Sequence, residues 1–286
     1  MSSSPQPDPA TLSTEALLER AGEQAGAVAD TAVNALWVLI GELHRRPEEA
    51  IFGTASAWCA TGATPKRVLG ADILGQLGHV PDAEQSPFGE RSVPVLVELL
   101  RDEDPRVKQS AVVALGHLAA WGVDWDCTTL EGLERHADRS VRHAVASALG
   151  GRPCEETPWA ADVLLRLMTD PDDHVRSWAT SGLASSEVDS DAIRAALLAR
   201  LDDEVEEVRC EAMVGLAGRQ DARVHAAIEA ALQLDDVPTL AVEAAALLPS
   251  PDFIPMLEDL LDIAPDDEDL LVARERCEGG PAEADA

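Results

Sequence analysis

The chain has 286 residues, of which 46% are hydrophobic, so it can bury a core. Its 53 acidic and 22 basic residues leave a net charge of −31. A charge of that sign repels nucleic acid and anionic lipid, and we therefore exclude both as partners. Aromatic residues make up 3%, and no run alternates apolar and polar residues as a strand does, which favours an all-helical fold.

The acidity itself needs no partner to explain it. Cations are almost all Arg and the chain is rich in Ala, which suggests a GC-rich genome, and acidity is also an adaptation to high salt. We rank these explanations above a function as an acidic mimic of nucleic acid.

The chain is expected to be a cytoplasmic protein. The first residues lack the basic and apolar regions of a signal peptide, and the apolar stretch "AVNALWVLI" is too short to span a bilayer. The five Cys, an odd number with no C-x-x-C pair, fit reduced thiols.

Four stretches are predicted along the chain. Residues 1–12 are rich in Ser and Pro and are predicted to be disordered. Residues 13–47 are predicted to form helices that cap the apolar end of a helical array. Residues 48–275 form the array itself, and 276–286 are predicted to be a loose tail.

The array is predicted from an internal repeat. A valine, a basic residue, a Leu eight positions after the valine and a small residue after the Leu recur together. The Leu positions lie 34, 34 and 33 residues apart, at Leu115, Leu149, Leu183 and Leu216. Weaker copies place Leu74 and Leu248 in the same column.

Each repeat is predicted to be a helix, a tight turn and a second helix. Stretches such as "VPVLVELL" and "LEGLERH" supply the first helices, and Asp104 with Pro105 is a typical start of a second helix. Within the second helix the valine and the positions four, seven and eight residues later form one apolar stripe. The seventh position is small, which allows close helix packing, at Ala114, Ala148, Gly182 and Gly215.

The pattern D-P-x-V-R/K-x-x-A-x-x-A-L-G resembles HEAT repeats, in particular the bacterial type found in phycobilisome lyases, over residues 48–275. The resemblance implies a right-handed α-solenoid of about six helix pairs, with the first helices on the convex face and the second on the concave face. It also implies a protein-binding surface, with a few enzymatic exceptions. The stretches "VEEV" and "VPTLAVEAAALLPS" depart from the pattern, which predicts less regular C-terminal repeats.

The basic column has two interpretations. Lys108, Arg142, Arg176 and Arg209 could form a stripe that binds an anionic partner. They could instead form a ladder of ion pairs with the acids five positions before each valine, namely Asp102, Asp170 and Asp203, with His136 in one repeat. We favour the ladder, because structural ion-pair networks commonly resemble sites.

The candidate partner-binding residues are a set on the second helices and a loop. The position two residues after each valine is predicted to point away from the buried stripe, which selects Gln109, His143 and Ser177, with Cys210 in the same column. Trp178 lies beside them, and Trp121 and Trp125 flank an inter-repeat loop. Trp is common at interface hot spots, although filling gaps between repeats is the interpretation we favour for these indoles.

No catalytic, cofactor-binding or metal-binding residue is predicted. The zinc, phosphate-loop and hydrolase motifs are absent, and His174 with Asp172 and Asp173 is better explained as a solvated turn. We therefore predict a non-catalytic, monomeric scaffold or adaptor that binds an unidentified protein. Alternatives are a chromophore-lyase-like enzyme or enzyme subunit, a HEAT-like DNA glycosylase, which the charge opposes, and an acidic inhibitor.

Overall fold

The computed structural model describes residues 8–26, 30–78, 87–150 and 157–279, and within these ranges every regular element is helical. Contacts between residues divide the chain into two compact units, Met1–Arg152 and Pro153–Ala286. The first unit contains α1 Thr14–Gln24, α2 Asp30–His44, α3 Glu49–Thr61, α4 Thr64–Leu74, α5 Gly89–Leu99, α6 Pro105–Ala120 and α7 Arg139–Gly150. The second contains α8 Pro158–Leu167, α9 Asp173–Ala184, α10 Asp191–Arg200, α11 Glu206–Gly218, α12 His225–Leu232, α13 Thr239–Leu247, α14 Ile254–Ile263 and α15 Glu268–Gly279.

Each unit is a stack of helix pairs. In the first unit α3 packs on α4 and α5 on α6, and the second helices α4, α6 and α7 stack in that order. The helices α1 and α2 lie at the start of this stack, with α1 against α3 and α2 against α4. In the second unit the pairs are α8–α9, α10–α11, α12–α13 and α14–α15, and α9, α11, α13 and α15 stack in sequence. A helix pair cannot bury its apolar stripe alone, so stacking completes the core.

The turn chemistry predicted from the sequence is present. Asp104 caps α6 by accepting a hydrogen bond from the Arg106 amide at 3.0 Å, and Pro105 occupies the first helical position. Asp172 caps α9 through the Val175 amide at 3.3 Å. In the "VEEV" repeat Val205 precedes α11 and supplies no side-chain cap, in agreement with the departure noted in the sequence.

Two predicted features are wrong. The stretch "LEGLERH" forms no α-helix: the 3-10 turns Cys127–Leu130 and Leu133–Arg135 replace it, because Gly132 between them adopts a left-handed conformation with φ of 92°. Leu248 does not continue the buried Leu column, since it is the half-buried C-cap of α13, whereas Ala245 is fully buried.

The boundaries near the ends also differ from the sequence prediction. Residues 276–279 belong to α15, and Cys277 is 1% exposed, so a tail beginning at 276 starts too early. Residues 280–286 lie outside the described residues, as do 1–7 of the segment predicted to be disordered. Within that segment Pro9–Thr11 form a 3-10 turn, capped by Asp8.

The predicted stripe of the second helices is buried. The column valines and the leucines eight positions later are all fully buried: Val107, Val141, Val175, Val208, Leu115, Leu149, Leu183 and Leu216. The small residues serve close approach between successive second helices. A Cβ on Gly75 would lie 2.7 Å from the Cβ of Ala114, one on Gly116 3.1 Å from that of Ala148, and one on Gly215 2.9 Å from that of Ala184. At each of these three contacts a glycine faces an alanine, so no room remains for a second methyl group.

Adding one methyl group at Gly215 should therefore destabilise the protein. The new Cβ in Gly215→Ala would meet both Cα and Cβ of Ala184, so α9 and α11 must separate. We expect a loss of about 1–3 kcal/mol in the free energy of unfolding, measured by urea denaturation. Gly218→Ala in the same helix is the matched control, because nothing lies within 4 Å of its Cβ and alanine favours helix by up to ~1 kcal/mol. A parent-like stability of Gly215→Ala would contradict the close contact.

Candidate binding face

The acids five positions before the valines are turn residues. The carboxylate Oδ1 atoms of Asp102, Asp170 and Asp203 each accept a hydrogen bond from the backbone amide two residues later, at 2.9, 2.9 and 3.1 Å. In the repeat that carries His136 instead, its Nδ1 takes the same role and lies 3.0 Å from the Asp138 amide nitrogen. The column therefore shapes the turn before each second helix.

The ion-pair ladder is confirmed at two steps. Arg176 makes two bonds of 3.0 Å to the carboxylate of Asp203 in the next repeat, and Arg67 binds Asp102 in the same way at 2.7 and 3.0 Å. Burial opposes the ionisation of Asp102 and Asp203, but the paired guanidinium outweighs it and lowers the pKa of each carboxyl. Both arginines therefore connect successive repeats.

The arginines of the basic column also hold the turn of their own repeat. Arg142 donates to the carbonyls of His136 and Ala137, and Arg209 donates to those of Asp203 and Glu204. Arg176 makes the same contacts with Asp170 and Pro171 in addition to its ion pair. Lys108 is the exception, because its side chain forms no hydrogen bond or ion pair with any residue in the described ranges.

Removing one arginine of the ladder should lower stability. In Arg176→Ala the carboxylate of Asp203, only 4% exposed, loses its bidentate partner. We expect a loss of about 2–3 kcal/mol, less than the ~3–5 kcal/mol of a fully buried pair because Arg176 is 15% exposed. Lys108→Ala, in the same column, should leave the melting temperature nearly unchanged. Calorimetry of the two variants checks this, and equal melting temperatures would reject the structural role.

The two tryptophans of the inter-repeat loop differ in exposure. Trp125 is 5% exposed and its indole Nε1 donates a 2.9 Å hydrogen bond to the Leu115 carbonyl, so it fills a gap beside α6. The prediction that Trp125 contributes to a partner-binding surface is therefore wrong. Trp121 caps α6 and is half-buried, with its ring 5.9 Å from that of His117.

The residues two positions after the valines divide between the units. Gln109 on α6 and His143 on α7 are half-buried and reach the surface of the first unit. Ser177 on α9 and Cys210 on α11 are 6% and 4% exposed, so the prediction that they point away from the stripe is wrong. In the second unit each second helix packs between a first helix and a neighbouring second helix, and the buried surface extends beyond a single stripe.

Trp178 is the most exposed tryptophan of the second unit. Its side chain stands one residue after the buried Ser177 and is 48% exposed, whereas the valine and leucine of the same helix are fully buried. An exposed indole combines a large apolar area with a face that attracts cations. Trp178 is therefore the strongest of the six candidate residues.

Several polar groups in the first unit have no signal in the sequence. His44 at the end of α2 lies with its Nε2 3.0 Å from the backbone oxygen of Asp72 in α4. Burial lowers the pKa of His44 to about 4 and raises that of Asp72 to about 6. The amide Nε2 of Gln76 lies 3.0 Å from Nδ1 of His117 on α6. These residues come from three helices and from the turn after α4, so no local motif marks them.

The described cysteines are buried, and two of their thiols, those of Cys59 and Cys210, are poor nucleophiles at neutral pH. Cys59, Cys127, Cys210 and Cys277 are buried and form no disulfide with another described cysteine, and Cys154 lies outside the described residues. Burial raises the pKa of Cys59 to about 12 and that of Cys210 to about 11. In the described part of the chain no three His, Cys, Asp or Glu side chains are grouped as a metal site. No described helix has both the length and the apolar character needed to cross a membrane.

The stacked pairs with a buried valine and leucine column define a helical repeat protein of the α-solenoid class. Two repeat families of this class match parts of the chain: the model of HEAT repeats matches residues 128–196, and the model of the Armadillo/beta-catenin-like repeat matches residues 90–120. The all-α solenoid predicted from the sequence is confirmed.

Two solved structures share the fold along most of the chain. The X-ray structure of YibA from Escherichia coli covers 95% of this chain and 94% of its own, with 22% identity and a TM-score of 0.73. An engineered protein covers 95% of this chain and 82% of its own, with 19% identity and a TM-score of 0.57. In sequence, YibA of Escherichia coli K12 is 28% identical over 211 residues, which cover 72% of each chain.

Proposed function

We propose that the protein is a non-catalytic scaffold that binds a partner protein through the exposed face of its second helices. The observation that carries the proposal is Trp178, an indole left 48% exposed in an array whose column residues are fully buried. Half-exposed aromatic side chains on a rigid helical surface supply large contact area at low entropic cost. The repeat fold supports the same function, since solenoids present extended surfaces to other proteins.

The candidate residues Gln109, His143 and Trp121 belong to the proposal for the first unit. They reach the surface on α6 and α7 and at the end of α6. The proposed partner-binding surface does not include Ser177 and Trp125, because both residues are buried. The high pKa of the Cys59 and Cys210 thiols supports binding rather than thiol catalysis.

A site-specific cross-linking experiment tests the proposal. A photo-reactive phenylalanine analogue replaces Trp178 in the full chain, and the exposed Asp202, in the turn before α11, receives the same group as a control. After irradiation in a lysate of the source organism, position 178 should give a discrete protein adduct that position 202 does not give. The adducted protein, once purified, should bind the wild type and bind Trp178→Ala more weakly. Absence of any adduct specific to position 178 would reject this face.

A further inference from the structure

The surface around Trp178 carries uncompensated negative charge. We define the Trp178 face as Trp178 and Ser181 of α9, Glu207 and Glu211 of α11, and Glu243 of α13. The first two residues are three positions apart and the next two are four apart, so each pair shares one side of its helix. The helices α9, α11 and α13 are in contact in that order, which makes the three helix surfaces neighbours.

Exposure and like-charge repulsion distinguish this face. Glu207 and Glu243 are exposed, and Glu211 between them is half-buried, with the Ser181 hydroxyl donating a hydrogen bond to its carboxylate. Burial raises the pKa of Glu211, and the charges of Glu207 and Glu243 raise it further. The free protein therefore concentrates negative potential beside an exposed indole.

No cation of the described ranges neutralises these carboxylates. None of Glu207, Glu211 and Glu243 forms an ion pair with a described residue. Six arginines of the second unit are engaged elsewhere: Arg176 and Arg200 bind Asp203, Arg194 and Arg223 bind Asp221, and Arg209 and Arg219 bind backbone carbonyls. A bound cation would relieve the repulsion among these three carboxylates.

We propose that the Trp178 face binds an arginine-bearing segment of a partner protein, with a guanidinium on the indole of Trp178 and a second against Glu211 and its neighbours. Arginine fits better than lysine, because its planar guanidinium stacks on an aromatic ring and bonds a carboxylate with two parallel N–H groups. This inference rests on the proposed function and specifies the chemistry of the partner.

A defined peptide probe tests the inference on the full chain. A short fluorescein-labelled peptide of alternating arginine and glycine is titrated with the protein at physiological salt, and binding is followed by fluorescence anisotropy. Trp178→Ala should weaken binding about tenfold through loss of the stacked guanidinium, and Trp178→Phe should restore part of it. The double variant Glu211→Gln with Glu243→Gln should weaken binding about tenfold or more. The matching lysine peptide should bind at least about fivefold more weakly than the arginine peptide.

A matched control distinguishes the effect of the Trp178 face on peptide affinity from the effect of the overall charge of the chain. Glu258→Gln with Asp259→Asn removes the same two charges from exposed positions of the first helix α14, and should change affinity by less than about twofold. Equal weakening by the two double variants, or equal binding of the lysine peptide, would overturn the inference. A specific protein adduct at position 178 together with no arginine-peptide binding would reject the inference and leave the proposed function standing. Circular dichroism of each variant confirms that the fold is retained.

Discussion

Replacing Arg219 with methionine should reduce the free energy of unfolding by about 4 kcal/mol or more. Arg219 is 6% exposed and follows the last residue of α11. From there its guanidinium returns to the end of α9 and donates to the carbonyls of Leu183, Ser186 and Val188 at 2.7, 2.7 and 2.8 Å. It also reaches the carbonyls of Ala184 and Gly215 at 3.2 and 2.9 Å.

The cost is large because several buried acceptors lose their donor at once. Each unsatisfied buried polar group costs about 1–3 kcal/mol, and bonds to a charged donor are the stronger kind. A positive charge at the C-terminus of α9 is also favoured by the helix dipole. Methionine keeps most of the apolar stem of the side chain, so the loss reports the guanidinium rather than the packing.

Urea denaturation of three variants checks this prediction. Arg219→Lys should recover only part of the loss, since one ammonium with three donors cannot reach five carbonyls. Arg101→Met is the matched control, because Arg101 is 76% exposed and pairs only with the exposed Glu98. The control should change stability by less than about 1 kcal/mol. If Arg219→Met were no less stable than Arg101→Met, the hydrogen bonds from Arg219 to the carbonyls would make no net contribution to stability.

Leu183→Ala should cost about 3–5 kcal/mol. Leu183 is the leucine of the repeat column in α9 and is fully buried, and it lies where α9 packs against α8 and α11. Removing its isobutyl group loses the transfer free energy and leaves a cavity that two rigid helices cannot close easily. Leu234→Ala makes the same chemical change at a side chain that is 49% exposed, and should cost less than about 1.5 kcal/mol.

The difference between the two leucines is the quantity to measure. Chemical denaturation of both variants and the wild type, followed by circular dichroism, gives the two losses on one scale. Similar losses would show that Leu183 is no more buried than Leu234, and that the repeat register is misplaced.

Local spacing was sufficient to predict the repeat and its buried columns. The valine and leucine positions, the Asp-Pro turns and the small seventh position follow from the helical period, because residues three and four apart share a face. A ladder of ion pairs between the basic column and the acids before the valines was also predicted, and the Arg176–Asp203 pair is one of its steps. These features depend on patterns that recur within one chain segment.

Contacts between helices decided which individual side chains are buried and which are paired. The sequence pattern predicts an exposed Ser177 and a buried Leu248, yet neighbouring helices bury Ser177 and Leu248 is only half-buried. Nothing in the sequence marks Arg219, four of whose five carbonyl partners lie more than thirty residues away. The carboxylates beside Trp178 come from two other helices. The sequence by itself therefore determined the repeat and its core through the periodicity of its apolar residues. The tertiary structure alone decided which polar and aromatic groups meet, because burial and pairing depend on residues that only the stacking of helices brings together.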